Sequence, residues 1–383
     1  TDPDREGEAI AEDLRQFCVP PGATVQRIEF NAIVYHAVMN ALENPRSIDE
    51  ERVESQRARR ALDRLIGFIL SSMAKFDPEG PGVPAVGRVL APAVALVVDR
   101  EKEREAFTPR HYWSLHGLLE WEGEQFEARL EEEPSDFDVA REAVEQLTDS
   151  GQMTVKDRRE DPEDDMHPPP PYTTDALQDH ADSLLGFTPE RTMSLAQELY
   201  QGVEIQGKQR ALITYMRTDS TRVDPSALNM AKKALAARSD SAEEMYRGRT
   251  WRPPGAAQDA HEAIRPTAPH EPELFPEKLE GELGEPLWEL YRLIYYRFLA
   301  SQMVPAVYHT TELDLACAGK EARAVGHVLL DKGFLRIYRR MQPDYGRVES
   351  RVPAASEGTE IPLVRAWPES RRTHPPVRYR EGA

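Results

Sequence analysis

The chain carries only two cysteines in 383 residues, Cys18 and Cys317. Two thiols cannot supply a disulfide framework or a four-cysteine zinc site, and their scarcity fits a reducing cytoplasm. No run of about 20 apolar residues occurs, so no membrane-spanning helix is expected. No charged-then-apolar leader precedes Asp2, although the chain opens inside a motif, and a region upstream of it is expected. A Walker-type Gly-Lys-Ser loop is also missing, which removes the usual cradle for nucleotide phosphates. Positive charge is in short supply: 48 Lys and Arg stand against 67 Asp and Glu, a net of −19. That sum disfavours indiscriminate attraction to phosphate backbones, so the placement of the few cations matters more than their number.

What is present is enough for two to four domains, with 40% hydrophobic residues to fill their cores. The acids concentrate in Glu131 to Asp138 and Glu160 to Asp165, read as solvated faces or loops. An acidic excess is also what a salt-rich cytoplasm favours for solubility. Arginine gathers instead at Arg57, Arg59, Arg60 and Arg64 around Asp63. Positions 57, 60 and 64 share one helical face that suits a DNA backbone; the alternative is a surface ridge paired with Glu51, Glu54 and Asp63.

Apolar spacing predicts helices at Ala9 to Phe17, Asn31 to Glu43, Ala61 to Ser71 and Val89 to Val98, with a strand at Thr24 to Phe30. Alternation predicts strands at Tyr112 to Leu119, Gln125 to Leu130, Tyr308 to Leu315, Ala324 to Leu330 and Phe334 to Tyr338, which read as one β-rich module in two pieces. Between the pieces, helices are expected at Ala181 to Leu185, Thr192 to Tyr200, Ser226 to Ala237 and Glu285 to Gln302, with a strand at Tyr215. Four prolines in Met166-His-Pro-Pro-Pro-Pro-Tyr-Thr-Thr174 mark a stiff junction.

Chemistry concentrates in three segments. In Ala211-Leu-Ile-Thr-Tyr-Met-Arg-Thr-Asp-Ser-Thr-Arg222, Tyr215 reads as a nucleophile. A phenol is only about 0.1% ionised at pH 7, so it needs a neighbouring cation or a base. Arg217 shares its strand face, and Thr218, Asp219, Ser220 and Thr221 add donors and acceptors; the alternative is a half-buried strand tyrosine beside a solvated arginine. At the start, Asp2, Asp4 and Glu6 alternate. In an extended segment three such carboxylates point one way and suit Mg²⁺, whereas the alternative is an acidic helix start. In Ala260-His-Glu-Ala-Ile-Arg-Pro-Thr267, one helical turn presents His261 and Arg265 to a shared anion, while Glu262 either caps or orients a neighbour.

Together these segments resemble the type IA DNA topoisomerases, nearer the bacterial topoisomerase I branch. Asp2-Pro-Asp-Arg-Glu-Gly-Glu8 is similar to the TOPRIM motif and Ile213-Thr-Tyr-Met-Arg-Thr-Asp-Ser-Thr221 to the nucleophile motif. Ser55-Gln-Arg-Ala-Arg-Arg-Ala-Leu-Asp-Arg64, Ala260 to Thr267 and Leu290 to Met303 follow in the family's order, so the likeness covers nearly the whole chain.

The resemblance implies a multidomain α+β fold: a TOPRIM α/β remnant (1–48), part of a helical DNA-binding domain (49–107), a β-rich arch (108–172 and 301–372), a mostly helical domain with the nucleophile (173–300), and the start of a return to the helical domain (373–383). Both ends of the closed toroid are expected to lie outside the chain, as in a fragment of a larger enzyme. It further implies an ATP-independent isomerase that cuts one DNA strand through a 5′-phosphotyrosyl link, passes the other and religates, relaxing negative supercoils. Tyr215, Arg217, Glu6 and His261 are its expected catalytic residues. Arg57, Arg59, Asp63, Arg88, Asp219, Thr221 and Arg265 are the expected DNA contacts, and Asp2, Asp4 and Glu6 the Mg²⁺ ligands. A cytoplasmic, nucleoid-associated bacterial monomer is expected. The rivals are a catalytically disabled DNA-binding relative and a TOPRIM-type nuclease.

Three segments depart from the family pattern. Ala85-Val-Gly-Arg-Val-Leu-Ala91 keeps Arg88 but loses polar groups at 85, 90 and 91; Phe30-Asn-Ala-Ile-Val34 lacks a carboxylate and a hydroxyl; Met73 to Gly82 lacks an expected Lys-rich, Trp-containing stretch.

Overall fold

The computed structural model describes residues 4–29, 35–75, 85–238, 242–251 and 261–380. Asp2, the Phe30 to Val34 segment, most of Met73 to Gly82 and Ala260 lie outside them.

Asp4 caps α1 (Arg5–Cys18), its Oδ1 accepting the Gly7 N–H at 2.7 Å. The expected extended alternation is therefore corrected. Asp4 stands just outside a helix and Glu6 in its first turn, where carboxylates favour the positive end of the helix dipole. The predicted strand at Thr24 to Phe30 is also corrected. A strand exists only through pairing, and among the described residues the pairing is the bridge of Arg27 with Arg46, by reciprocal 2.8 Å bonds. Three further helices follow: α2 (Tyr35–Glu43), α3 (Glu50–Lys75) and α4 (Leu90–Ala106). Fully buried Glu8 ties this region together, accepting from Arg27 Nε at 3.1 Å, from Asp49 N at 2.9 Å and from Arg46. Burial pushes its carboxyl up, but Arg46, the Asp49 amide and the charge of Arg27 outweigh that and hold it below its ordinary value.

The β-rich module begins with β1 (His111–Trp121) and β2 (Glu124–Leu130), then α5 (Phe137–Ser150) and β3 (Gln152–Met166). The acidic run Glu160 to Asp165 lies within β3 as a largely exposed strand face, so of the two readings, solvated face or loop, it is the solvated face. Cations make that possible: Arg158 meets Glu160 at 2.7 Å, Arg159 meets Asp314 at 2.8 Å, and Arg347 holds Asp164.

The helical insert contains α6 (Thr174–Leu185) and α7 (Pro189–Gln201), then a short hairpin of β4 (Val203–Ile205) and β5 (Lys208–Arg210) that alternation did not reveal. It continues through α8 (Pro225–Ala236), α9 (Ala242–Met245), α10 (Pro276–Leu279) and α11 (Glu285–Ser301). Thr173, Thr188 and Asp224 cap α6, α7 and α8 by accepting backbone N–H groups, as helix starts demand. Leu290, Tyr291, Ile294, Tyr295, Phe298 and Leu299 bury one half of α11's circumference and Leu293, Tyr296 and Ala300 much of the other, and the helix forms the insert's central post.

The chain then completes the module with β6 (Ala306–Cys317), β7 (Lys320–Asp331), α12 (Leu335–Tyr338) and β8 (Glu360–Arg372). The strands close a barrel in the order β1-β2-β7-β6-β3-β8. α5 packs Ala140, Ala143 and Leu147 into its core. At Gly117 an added Cβ would meet the terminal methyl of Met153 at 2.8 Å, so that flexible side chain would have to shift. The expected strand Phe334 to Tyr338 is instead the turn of α12. Phe334, Leu335, Ile337 and Tyr338 are buried and only Arg336 is exposed, a single helical turn that packs against α11.

Glu277 fastens the insert's far side. It receives Arg238 through two 2.9 Å bonds, Tyr296 Oη at 2.6 Å and Arg340 at 2.7 Å. Burial raises its carboxyl, but the Arg238 and Tyr296 hydrogen bonds and the Arg238 charge outweigh this and lower it from 4.5 to about 2. A lowered folded-state value contributes stability above the unfolded value, which is lost as pH falls from about 4.5 to about 2. Glu277→Gln is expected to flatten that acid limb in urea denaturation. At pH 7 it should cost on the order of 1 kcal/mol, the partly exposed carboxylate being screened by solvent.

Candidate active site

The segment 211–222 is not a strand, which corrects the expectation for Tyr215. It is extended chain with a single bridge, Ile213 to Pro266. Its backbone groups find partners on several elements: Leu212 N–H donates to Leu199 O at 2.8 Å, Thr214 N–H to Arg265 O at 2.9 Å, and Thr267 N–H returns to Leu212 O at 3.0 Å. Burial nonetheless alternates as it would on a strand. Met216, Thr218 and Ser220 are buried, Arg217 and Asp219 exposed, and Tyr215 half-buried. Thr221 is buried as well.

Two rings flank Tyr215. His261 lies 4.9 Å away between centroids, tilted by 52°, and Tyr200, at the end of α7, meets it edge-on at 5.5 Å. The tyrosine is thereby restricted in rotation while staying partly open to solvent. Sequence reading missed Tyr200, because helical spacing places it on α7 without relating it to the later loop. The hydroxyls expected to face a phosphate are partly used internally: Ser220 N–H donates to Thr218 Oγ1 at 3.0 Å and Arg222 N–H to Ser220 Oγ at 3.2 Å. Arg217 and Asp219 therefore remain as the solvent-facing groups next to the tyrosine.

His261 and Arg265 do not share a helical turn. Residues 261–267 are extended, bridging Tyr172 at Ile264 and Ile213 at Pro266. Arg265 is 3% exposed and its guanidinium is occupied by Glu262, at 2.9 and 2.8 Å, and by Pro266 O at 3.0 Å. Glu262 therefore orients a neighbour, and Arg265 supports the tyrosine loop from within by pairing its backbone with Thr214.

Near the chain start, α1 and α3 enclose a cleft of about 330 Å³ lined by Glu6, Gln56, Arg59, Arg60, Asp63 and Arg64. Gln56 Nε2 donates to Glu6 at 2.9 Å. Arg88 grips Asp63 by bonds of 2.8 and 3.0 Å, offsetting the acid and leaving the three lining arginines to set the cleft's sign. Arg60 and Arg64 of the expected face line this cleft with Arg59, while Arg57 lies outside its lining, toward Asp13 at 3.7 Å and Glu54 at 3.3 Å. The altered segment before α4 still has local order, with Val86 N and O both bonded to Ser71 Oγ, at 2.9 and 3.2 Å.

The donor chemistry suits a hard cation. Asp4 uses Oδ1 and Glu6 uses Oε2 in the bonds above, and each carboxylate has a second oxygen. Among the described residues no group of three acidic, His or Cys side chains is assembled for a metal; Asp2 lies outside them.

Removing the partner of a buried charge costs more than the pair contributes. Glu262→Ala is expected to lower stability by roughly 3 kcal/mol in urea denaturation, because Arg265 keeps its charge without a counter-ion.

A family model for DNA topoisomerase matches residues 47–383. The chain is also similar to the crystal structure of full-length topoisomerase I from Thermotoga maritima. The two superimpose with a TM-score of 0.78 at 33% identity, over 100% of this chain and 60% of the other, so this chain spans less than two thirds of that protein's length. With five motifs in order and this fold around the tyrosine, the chain belongs to the type IA DNA topoisomerases.

Proposed function

We propose that the chain provides the cleavage centre of an ATP-independent, single-strand-passing topoisomerase that relaxes negatively supercoiled DNA, with Tyr215 as nucleophile. The observation that carries this reading is the tyrosine itself: held between Tyr200 and His261, half-exposed, and followed by solvent-facing Arg217 and Asp219 in a member of this family. Single-stranded DNA lies along the arginine cleft, where Arg59, Arg60 and Arg64 neutralise phosphates. Asp63 and Arg88 shape that cleft from its edge.

The Tyr215 oxygen attacks a backbone phosphorus. The Tyr215 phenol passes its proton to water, a P–O bond to Tyr215 forms as the P–O3′ bond breaks, and a 5′-phosphotyrosyl ester and a free 3′ hydroxyl are left. Arg217 offsets the charge that builds on the phosphoryl oxygens, a preorganised contribution typically of several kcal/mol. His261, against the tyrosine ring, contacts the same phosphate. Glu6 exchanges a proton with the departing 3′ oxygen, which makes both cleavage and its reversal accessible. Asp4 and Glu6, with Asp2, would hold Mg²⁺, which would supply positive charge for religation. The ester conserves the energy of the broken linkage, so strand passage and resealing need no nucleotide. Arg265 acts behind this surface by holding the loop through Thr214, and Thr221 contacts the DNA. The working form is a cytoplasmic, nucleoid-associated monomer.

The test is a denaturant-trapped covalent adduct on end-labelled single-stranded DNA with Mg²⁺, using this chain and the full open reading frame that encodes it. An adduct is expected, and Tyr215→Phe is expected to abolish it while retaining DNA binding. Cutting that persists in Tyr215→Phe would identify a nuclease instead. DNA binding without any adduct would identify a disabled relative.

A further inference from the structure

The tyrosine loop is fastened by a residue that none of the motif reasoning singled out. Thr174, the first residue of α6, directly follows the proline-rich junction between barrel and insert. Its hydroxyl lies 2.8 Å from Met216 O and 3.0 Å from Thr218 O, and it accepts the Thr218 N–H at 2.9 Å. Its own N–H, one of the four that a helix start leaves unpaired, donates to Thr218 O at 2.8 Å. One side chain therefore reaches the backbone on both sides of Arg217, in the residue span that starts at Tyr215. The anchor behind Thr174 is firm. Tyr172 O accepts the Ile264 N–H at 2.8 Å, Arg297 Nε donates to Pro170 O at 2.6 Å, and the Arg297 guanidinium covers the buried Tyr172 ring at 4.8 Å. The Tyr172 hydroxyl shares a 2.5 Å hydrogen bond with His180 Nδ1, and burial together with the Arg297 charge holds His180 below its ordinary pKa.

We propose that Thr174 is a positioning residue for strand cleavage: its hydroxyl clamps Met216 and Thr218 and so fixes the direction in which Arg217 leaves the backbone beside Tyr215. The inference rests on the cleavage role of Tyr215 proposed above. An extended loop with no sheet neighbours has little else to set the orientation of an exposed arginine, and small misplacements of a charge-stabilising group are costly in rate. The clamp also joins the loop to the segment through which the barrel enters the insert. The arginine's orientation is thereby referred to the fold's junction rather than to the loop alone.

Thr174→Val keeps shape and β-branching while removing the hydroxyl, and Thr174→Ser keeps the hydroxyl. Each is compared with wild type in the full open reading frame by single-turnover adduct formation at saturating single-stranded DNA, by DNA affinity, and by amide exchange at Thr218. For the valine variant the expected result is an adduct rate lowered by about tenfold or more, affinity within about twofold, and faster exchange at Thr218. The serine variant should restore rate and protection together. A valine variant that cleaves at the wild-type rate overturns the proposal, as does a serine variant no better than valine, or a loss confined to affinity. Unchanged exchange at Thr218 refutes the clamp itself. Absence of adduct in all three proteins refutes the cleavage reading of Tyr215 and the positioning role with it, while the exchange data still report separately on the clamp.

Discussion

Backbone hydrogen bonding without a sheet is the constraint on which the tyrosine centre depends. A buried extended segment must place every N–H and C=O on a partner or bear the cost of leaving it bare. Residues 212–222 meet that demand piecemeal, drawing on Leu199 at the end of α7, on Thr174 at the start of α6, and on 263–267. Each supplier is itself fixed by capping or burial. The loop is therefore irregular in secondary structure yet determined in position, and Tyr215 occupies the part of it that remains half-open.

Charge follows the same economy. A chain with net −19 has few cations to spare, and many are committed to structural pairs: Arg27 and Arg46 to Glu8, Arg238 and Arg340 to Glu277, Arg265 to Glu262, Arg347 to Asp164. Against that background the arginines lining the Glu6 cleft and the exposed Arg217 stand out by their position. A strongly acidic protein can still present a local positive surface to a polyanion, because screening confines the influence of distant acids to about a Debye length.

Legibility of the fold tracked pattern purity. Long apolar periodicities such as that of α11 announced their helices, and clean alternation announced β1, β2, β6 and β7 on both sides of the insert. β3 hid behind acids whose counter-charges come from Arg158 on the same strand and from Arg347 beyond α12, and β8, rich in Arg, Glu and Pro, offered little alternation to read. Phe334 to Tyr338 misled because one exposed residue, Arg336, between buried neighbours reads the same in a short strand and in a single helical turn. At the site, the residues of interest were visible from their types and spacing, whereas their partners were not. The pairing of Arg265 with Glu262 and the approach of Arg57 to Asp13 are contacts that spacing along the chain does not announce.

Local chemistry was thus settled by the sequence alone: which residues are capable of nucleophilic attack, of capping a helix, of ligating a hard cation, and which stretches repeat with helical or strand period. These depend on side-chain type and near-neighbour spacing. Tertiary structure alone decided which cations stay available and what surrounds the nucleophile. Tyr200, His261 and Thr174 converge on residues 215–218 from three separate stretches of chain. Such convergence depends on how the barrel junction, α6, α7 and the 261–267 segment pack about α11, a long-range arrangement that no periodicity within one element encodes.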